Sequence, residues 1–289
     1  MWIVLPVHNR VAVTCRFADC LARQTFRDFT LLLVDDGCTD DTVAEVKKRV
    51  PNTVVIRGDG SLWWGGAMDM AYRHLKRHAD DADLVLIAND DVVVEDEYLE
   101  KADRVMRGVT NTLTISACYS QATGGLIDAG RHADWATFTF PLATESSRIN
   151  CLSTRGLFLR VGDWKRIGGF HPFLLPHYGS DYEFTVRAGR RGLRLTCDRE
   201  LRVFLDESTT GVRLVSTGLA AYLFDTFVSK RHVGNAFYKT SMILLMCDRR
   251  YMPRHLWRLW SQVARGLAVR MFSPRRDDSV TLADQRVDK

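Results

Sequence analysis

Two adjacent carboxylates and an amide follow a run of apolar residues in the segment LVLIANDDVVV (84–94). Burying an unpaired charge costs on the order of several kcal/mol or more, so Asn89, Asp90 and Asp91 need neutralising or hydrogen-bonding partners. Oxygen ligands of this type suit Mg²⁺ or Mn²⁺, a cation that typically keeps waters and bridges a phosphate. The triplet therefore predicts a divalent-cation site that handles a phosphate, with a solvated acidic turn as the alternative.

A second acidic loop follows another apolar run, in the segment LVDDGCTDDT (33–42). Asp35, Asp36 and Gly37 also have a structural interpretation as turn residues, and residues 39–41 as helix-capping residues. Two carboxylate clusters at one sheet edge repel each other unless a cation or a hydrogen-bonding ligand lies between them. The second loop therefore strengthens the prediction of a bound ligand.

Glycine-rich phosphate cradles are missing from the sequence. Neither G-x-x-x-x-G-K-[ST] nor G-x-G-x-x-G follows a predicted strand. The sequence therefore predicts neither a P-loop nor a dinucleotide-binding turn. A cation bound by Asp91 would have to neutralise the phosphates instead.

A third feature is the segment HYGSDYEFTVRAGRRG (177–192). Ser180 and Glu183 predict a capping box at a helix N-terminus, and Asp181 in the first turn favours the helix dipole. Glu183 and Arg187 add an i,i+4 ion pair. These forces would fix the helix end, and a catalytic carboxylate at Asp181 needs such a fixed position. The structural and catalytic roles do not exclude each other.

The elements that must position these residues alternate in the first 120 residues between short β-branched or leucine-rich runs and stretches of helical periodicity. This alternation predicts a mostly parallel sheet flanked by helices. The predicted strands are 2–7, 30–34, 53–57 and 84–88. Ligands bind at the carboxyl ends of the strands in open α/β sheets, so we expect three loops to converge on one crevice. These loops are 6–10, 35–41 and 89–91.

Three helices are predicted between these strands. The first contains Val13, Phe17 and Leu21, and the second ends near Val50. The third follows the loop GDGSLWWGGA (58–67). Beyond residue 120 the pattern changes to short strands and glycine-rich turns, and the last 75 or so residues favour helix. We therefore divide the chain into a first half (1–120), a second half on the same sheet (121–212) and a helical extension (213–289).

Composition restricts the class of protein. The chain has 289 residues, 46% of them hydrophobic, which suits one large core or two sub-domains that share a sheet. Seven cysteines without a C-x-x-C favour a reducing compartment. The sequence shows no signal-peptide pattern and no run of about 18 apolar residues, so we expect a cytoplasmic protein that does not span a membrane. The net charge of +5 is modest, and we expect no nucleic-acid partner.

Four segments in this order resemble the inverting family 2 glycosyltransferases: LPVHNR (5–10), QTFRDFTLLLVDDGCTDDT (24–42), IANDD (87–91) and GSDYEFTVRAGRRG (179–192). Each segment is weak evidence alone, but their order and spacing are quite specific, and the resemblance covers about residues 2–210. It implies the GT-A fold, which is Rossmann-like, with a mostly parallel central sheet and helices on both faces. A helical C-terminal extension follows here.

The resemblance also implies that residues 1–120 form a nucleotide-sugar-binding half, with a site for a nucleotide-diphosphate sugar, and that residues 121–212 form an acceptor-binding half. The loop of Pro6, Val7 and His8 would pack on the nucleobase, and Asp36 would accept a hydrogen bond from a base N–H. Asp91 matches the last carboxylate of the D-x-D motif of the family, which binds the metal that bridges the diphosphate. The implied nucleotide-binding residues are Pro6, Val7, His8, Arg10, Asp36, Asp59, Trp64, Asn89 and Asp90.

Asp181 matches the catalytic base, the second residue of the usual Glu-Asp pair, and Ser180 stands where that glutamate would be. Asp206 lies near the position of a metal-binding histidine in many members, so it either serves as an oxygen ligand or leaves Asp91 as the one carboxylate. Trp63, Arg155 and Ser180 are implied on the acceptor or diphosphate side. Arg155 could instead pair with a structural carboxylate, and the tryptophans could pack between sub-domains.

The implied reaction is a single displacement at the anomeric carbon, with inversion. A carboxylate with an ordinary pKa of about 3.9 is a weak base for an alcohol, so we expect the proton to move late. The donor would be a UDP- or dTDP-sugar, including a deoxysugar such as rhamnose. The acceptor would be a saccharide or lipid-linked saccharide in the synthesis of a cell-surface polysaccharide.

The segment 249–276 holds eight arginines and no acidic residue. An apolar face consists of Leu256, Leu259, Trp260, Val263 and Leu267. It predicts an interfacial helix on an anionic leaflet, and hence peripheral contact with the inner face of the cell membrane. The alternative is that this face packs on the catalytic domain.

Two other functions share this fold and motif set. A catalytically impaired nucleotide-binding scaffold is favoured by the departures at Asn89 and Ser180. A sugar-phosphate nucleotidyltransferase would share the fold and the metal, but it usually has a glycine-rich basic loop after its first strand, and PVHNR (6–10) is not such a loop.

Overall fold

The computed structural model describes residues 1–207 and 218–272. Its strands are β1 (Trp2–Val7), β2 (Thr30–Asp35), β3 (Thr53–Arg57), β4 (Leu84–Ile87), β5 (Val92–Val94), β6 (Thr112–Ser120), β7 (Leu126–Asp128), β8 (Leu157–Arg160) and β9 (Arg194–Leu205). Its helices are α1 (Val11–Arg23), α2 (Thr42–Arg49), α3 (Trp63–His78), α4 (Tyr98–Met106), α5 (Val161–Ile167), α6 (Ser180–Arg190), α7 (Leu219–Phe227), α8 (Ala236–Met246) and α9 (Met252–Phe272), with a 3₁₀ turn at Ser146–Arg148. The four strands predicted in the first half are all present.

One sheet contains all the described strands, in the order β3-β2-β1-β4-β8-β6-β9-β5, with β7 paired to β6. The half that contains β3, β2, β1 and β4 is parallel throughout. The second half is mixed, since β8 is antiparallel to both β4 and β6, whereas β6 and β9 are parallel. The prediction that the second half continues the same sheet is confirmed.

The direction of strand addition changes between β1 and β4. From β1 the chain proceeds outward to β2 and β3, and β4 then pairs on the other side of β1. A crevice forms at the carboxyl ends of the strands at such a switch point. The residues after β1 and after β4 therefore lie beside each other at the edge where ligands bind.

Successive residues of the central strands face two separate hydrophobic cores. Ile3 and Leu5 of β1 face the core that includes α1, α2 and α4. Val4 faces the core that includes Met68 of α3 and Phe184 of α6. Helices therefore cover both faces of the sheet, as predicted.

The predicted capping box at α6 is wrong. The helix begins at Ser180 itself, and the preceding Gly179 is its N-cap, with φ of +78°. This left-handed conformation favours glycine, and a Cβ at Gly179 would lie 2.9 Å from the sulfur of Met242 in α8. Glu183 pairs with Arg187 through two hydrogen bonds of 2.8 and 3.0 Å, so its carboxylate does not reach back to the cap.

The C-terminal helices pack on one another and on the sheet domain. Leu259 and Val263 of α9 are buried with residues of α8, and Leu256, Leu267 and Phe138 pack against them. Most of the apolar face that we predicted to meet a membrane therefore packs inward, mainly on α8, while Trp260 is 44% exposed. Contact with a membrane stays a prediction. Residues 273–276 of the basic segment lie outside the described part of the chain.

The Arg187–Glu183 pair predicts a large stability effect. Glu183 is buried, and Arg187 also donates to the carbonyls of Ile167 and Gly169. We expect Arg187→Ala to lower the free energy of unfolding by about 3–5 kcal/mol, because it leaves a buried carboxylate without its partner. Urea unfolding measures the difference. The matched control is Arg107→Ala, which removes an exposed i,i+4 pair with Asp103 and should cost less than about 1 kcal/mol. Equal losses in the two variants would contradict this interpretation.

Candidate active site

A cavity of about 540 Å³ opens at the carboxyl ends of β1 and β4. Every loop that we expected to converge contributes to its wall. Twelve residues singled out from the sequence line it: Pro6, Val7, His8, Arg10, Asp36, Trp63, Trp64, Asn89, Asp90, Asp91, Arg155 and Asp181. Seven further residues line the cavity and were not predicted from the sequence: Gly60, Ala67, Thr154, His177, Tyr178, Gly179 and Arg231. Asp59, Ser180 and Asp206 do not line the cavity.

The carboxylate of Asp90 joins the loop after β1 to the loop after β4. Its Oδ1 accepts from Arg10 Nη1 at 3.0 Å, and its Oδ2 accepts from the Thr14 hydroxyl at 2.8 Å. Burial raises the pKa of Asp90, while Arg10 and Thr14 oppose that rise. Both oxygens are thus engaged by the protein, so Asp90 positions the loops, and direct contact of Asp90 or Arg10 with a nucleotide stays a prediction.

Asp91 differs from its neighbour. Its Oδ1 is buried, yet no described residue lies within hydrogen-bonding distance of it. An orphaned carboxylate oxygen at a cavity wall fits a cation that takes one or two protein carboxylates and completes its shell with waters and phosphate. Within residues 1–207 and 218–272, no cluster of three histidine, cysteine or acidic side chains could hold a metal. The residues therefore fit a cation shared with a ligand, not a cage made by the protein.

Asp206 was predicted as a possible second metal ligand, and its side chain lies elsewhere. Its Oδ2 is 3.0 Å from Nη1 of Arg16 on α1, although its backbone N–H donates to the Asp91 carbonyl at 3.2 Å. An arginine and a divalent cation compete for the same carboxylate. The structure therefore brings the two backbones together and pairs the Asp206 carboxylate with Arg16, and metal ligation by Asp206 stays a prediction. Residues 208–211 of the predicted segment VFLDESTTG (203–211) lie outside the described residues.

Asp36 fixes the N-terminal end of α3. Its carboxylate accepts hydrogen bonds from the backbone N–H groups of Gly60, Leu62 and Trp63 at 2.9, 3.1 and 3.0 Å. Trp63 has φ of +57°, a conformation that a bulky residue adopts only under such constraint. The predicted contact of Asp36 with a nucleobase would have to add to these bonds. Asp59 is exposed and accepts from the N–H and hydroxyl of Ser61.

The two tryptophans start α3 instead of lying in a loop before it. Trp64 packs edge-on against Phe170, with ring centroids 5.3 Å apart, and its indole N–H donates to Asn89 Oδ1 at 3.3 Å. Trp64 therefore combines the packing and cavity roles that the sequence left open. Trp63 meets His177 edge-on at 5.7 Å, and the guanidinium of Arg231 lies 5.3 Å from the centroid of its ring system.

Arg231 and His177 were not foreseen. Arg231 comes from the link between α7 and α8, far along the chain from the other lining residues, and no motif marks it apart from the basic run SKRH (229–232). Burial lowers the pKa of His177, and the charge of Arg231 lowers it further. His177 Nδ1 is buried and finds no hydrogen-bond partner in the described part of the chain.

Asp181 lies in the cavity wall at the start of α6. Burial raises its pKa to about 6, and Asp128 adds to the rise, against the N–H of Tyr182 and the charge of Arg155. The expectation of an ordinary carboxylate pKa was therefore wrong, since the sequence does not reveal how far the fold desolvates this carboxylate. A carboxylate with this pKa is a better general base near neutral pH. Arg155 Nε is also buried without a partner among the described residues.

Ser180 is buried behind the cavity wall, and its Oγ lacks a hydrogen-bond partner in the ranges described. A Cβ on Gly65 of α3 would lie 3.0 Å from this Oγ and 2.5 Å from the Leu175 carbonyl. The N–H of Gly65 donates to the Pro176 carbonyl at 2.8 Å. The start of α3 therefore presses on the loop before α6, and this close approach explains the small residues at 65 and 180.

The sequence of this chain is similar to those of glycosyltransferases. Residues 2–139 match the family model described as Glycosyl transferase family 2. Over these residues the chain is similar to glycosyltransferase family 2. The resemblance of the four sequence segments is thereby confirmed, and the fold is of the GT-A type that we expected from it.

This glycosyltransferase is 28% identical over 267 residues to proteins of two Mycobacterium tuberculosis strains named N-acetylglucosaminyl-diphospho-decaprenol L-rhamnosyltransferase. The match covers 80% of this chain and 86% of the relative. The family match and this relative support glycosyl transfer as the general activity.

Solved structures share the fold at lower identity. S. aureus TarS 1-349 in complex with UDP-GlcNAc has a TM-score of 0.58 and 17% identity, over 97% of this chain and 76% of that one. The mannosyltransferase PcManGT from Pyrobaculum calidifontis, in complex with GDP-Man and Mn²⁺, has a TM-score of 0.57 and 14% identity, over 95% and 76%. A longer TarS chain matches at a TM-score of 0.56 and 17% identity over 97% of this chain, which spans only 46% of that chain's length.

The contact between α3 and the loop before α6 predicts that alanine substitutions at two neighbouring glycines differ in their effect on stability. Gly65→Ala should lower the free energy of unfolding by about 1–3 kcal/mol, because the new Cβ meets a backbone carbonyl that cannot easily move. Gly66→Ala is the matched control in the same helical turn, since its Cβ meets only side chains, at 3.1 Å or more. It should be close to neutral. Urea unfolding of both variants measures the difference, and equal stability would contradict the close approach.

Proposed function

We propose that this glycosyltransferase moves a sugar, with inversion, from a nucleoside-diphosphate donor to a hydroxyl of a saccharide acceptor. The observation that carries the proposal is the presence of two incompletely paired carboxylates, Asp91 and Asp181, in the lining of one cavity. Asp91 has a buried oxygen without a described partner, and Asp181 has a pKa of about 6. The first suits the diphosphate end of a donor, and the second suits a base for the acceptor hydroxyl.

The leaving diphosphate needs positive charge around it. Arg155 and Arg231 line the same cavity as Asp91, and Arg155 Nε has no partner among the described residues. Both guanidinium groups can donate to phosphate oxygens. Mg²⁺ or Mn²⁺ bound at Asp91 would supply Lewis-acid stabilisation of the leaving group. The complex of PcManGT with GDP-Man and Mn²⁺ supports this choice of metals.

Asp181 would take the proton of the acceptor hydroxyl. Inversion requires attack from the face opposite the leaving nucleotide, so the base and the phosphate-binding groups must lie on opposite sides of the sugar. With a pKa of about 6, Asp181 is mostly ionised at neutral pH and is still basic enough to help before the new C–O bond is complete. This changes our earlier expectation of a very late proton transfer.

The donor and acceptor classes rest on the apolar wall and on the relative. Trp63, Trp64 and Ala67 give the cavity flat apolar surfaces, which suit a deoxysugar. The M. tuberculosis relative is named as a rhamnosyltransferase that acts on a diphospho-decaprenol-linked sugar. We therefore propose a dTDP- or UDP-linked deoxysugar such as rhamnose as donor, and a lipid-linked saccharide of a cell-surface polysaccharide as acceptor.

Nucleotide binding tests the donor site. Thermal unfolding would be followed with UDP, dTDP, GDP and CMP, each with and without Mn²⁺. A ligand at 100 times its dissociation constant should add about 2.7 kcal/mol, a shift of several degrees. Asp91→Ala should abolish the metal-dependent part of the shift. Asp96→Ala removes an exposed carboxylate outside the cavity and should respond like the wild type. No shift with any nucleotide would overturn the donor site.

Asp181→Asn tests the base. Turnover should fall by about 10²- to 10⁴-fold while the nucleotide shift is kept. Wild-type kcat/KM should drop about tenfold per pH unit below pH 6, where Asp181 becomes protonated. Unchanged turnover in the variant would remove Asp181 from catalysis. A wild type that binds nucleotide but never turns over would favour the impaired scaffold instead.

The same variant should alter the pH dependence of stability. A raised pKa means that the folded protein holds this proton where the unfolded chain, with a pKa near 3.9, has lost it. Wild-type stability from this group is therefore lost as pH rises from about 4 to 6, by about 3 kcal/mol. Asp181→Asn should gain stability relative to wild type across that window. Urea unfolding at pH 4.5 and pH 7.5 would contradict this if the difference between the proteins stayed constant.

A further inference from the structure

Helices α7 and α9 expose large apolar side chains on one continuous surface, which we call the aromatic patch. It consists of Leu223, Phe224, Phe227 and Val228 at the end of α7, with Trp257 and Trp260 of α9. Phe224 is 56% exposed and Trp257 is 77% exposed. Phe227 and Trp260 stack with ring centroids 6.4 Å apart, which joins the two helices' contributions.

The aromatic patch is not a by-product of packing within the bundle. The buried side of α9 carries Leu259 and Val263, and the buried side of α7 carries Thr226. Tyr222 ties the helices together by donating from its hydroxyl to the Val263 carbonyl at 3.2 Å. The bundle therefore has its own core, and the aromatic side chains of the patch lie exposed outside it. A contiguous exposed surface of this kind marks a binding site.

The charge around the patch is strongly positive. Arg254, Arg258 and Arg265 recur at i, i+4 and i+11, so they form an exposed stripe beside the tryptophans. Residues 218–272 contain nine lysines and arginines against two aspartates, a net charge of +7. The whole chain carries +5, so the rest of the sequence is net acidic by two charges. The positive charge is therefore a property of this bundle.

Aromatic side chains bordered by arginines are the chemistry of an anionic bilayer surface. Tryptophan and phenylalanine insert at the level of the headgroups, and arginines attract the lipid phosphates. In the described ranges, no helix is both long and apolar enough to span a bilayer. We propose that α7 and the outer face of α9 dock this protein onto the headgroup region of an anionic membrane. Trp260 belongs to the apolar face of α9 that the sequence suggested and is exposed, whereas Leu259 and Val263 of that face pack inward.

The aromatic patch adjoins the cavity. Phe227 and Val228 precede Arg231 by four and three residues, and Arg231 lines the cavity wall. Lys230, between them, donates to the Ser61 carbonyl at 3.4 Å, next to the start of α3. A docked bundle would hold the cavity close to the leaflet, where a lipid-linked acceptor presents its sugar. This consequence rests on the proposed function, whereas the docking itself does not.

A second copy of the chain suits the aromatic patch less well than an anionic membrane does. Two copies that meet through this face would bring two bundles of net charge +7 together, and such like charges repel. An anionic leaflet offers charge of the opposite sign and accepts the aromatic side chains as well. Charge complementarity therefore selects the membrane.

Vesicle flotation tests the docking. The purified chain would be mixed with phosphatidylcholine vesicles, with and without phosphatidylglycerol, at low and high salt. The wild type should float only with the anionic vesicles, and less at high salt. Phe224→Ser with Trp257→Ser should weaken binding by about tenfold or more. Replacing Arg254, Arg258 and Arg265 by Gln should weaken it by about 100-fold.

Matched controls separate the patch from general effects. Phe173→Ser removes an aromatic side chain that is 88% exposed in the loop between α5 and α6. Replacing Arg77, Arg107 and Arg199 by Gln makes the same change in net charge elsewhere on the surface. Both controls should float like the wild type. All variants concern exposed residues and should keep the wild-type Tm, which a thermal scan checks.

Two outcomes would overturn the docking: equal binding of all variants and controls, or no binding of the wild type to anionic vesicles. A patch-dependent dimer in light scattering, without vesicle binding, would assign the surface to a second copy. The nucleotide-dependent Tm shift, measured without vesicles, keeps the two proposals apart. Docking that depends on the patch, in a protein that no nucleotide stabilises, would support the membrane surface and reject the proposed function.

Discussion

The buried carboxylate of Asp90 is the contact on which the cavity depends. It lies at the switch point between β1 and β4, where Arg10 and Thr14 both donate to it. A carboxylate that is only 6% exposed requires such partners, so α1 and the end of β4 are held in one arrangement. Asp91, the next residue, is thereby presented at the cavity wall with one oxygen left without a described partner.

The cavity carboxylates divide into two kinds. Asp90 and Asp36 have their oxygens engaged by the protein, and they fix the loops. Asp91 keeps an orphaned oxygen, and the raised pKa of Asp181 shows that its charged form is poorly stabilised. The second kind lowers the stability of the fold and is tolerated because two hydrophobic cores enclose the sheet. Strain that is kept at a ligand site in this way is typical of enzymes.

The sequence predicted what depends on local patterns. The first-half strands follow from apolar runs between turn residues, and the loops after them had to converge because parallel strands end at one edge. Sequence patterns did not reveal features that depend on contacts between distant parts of the chain. Gly179 became the cap of α6 through its contact with α8, Asp206 turned toward Arg16, and burial raised the pKa of Asp181. Arg231 reaches the cavity from a bundle whose position no local pattern encodes.

Arg231 lies later in the chain than the other residues that line the cavity, so the ribosome adds it last among them. The sheet from β1 to β9 is complete once residue 205 has been made, and its two cores need nothing from the C-terminal bundle. Arg231 and its contact with Trp63 arrive later, when the link between α7 and α8 emerges and the bundle packs. A nascent chain can therefore hold a folded sheet domain whose cavity still lacks Arg231. The guanidinium that Arg231 offers to a ligand is added only after the sheet has been made.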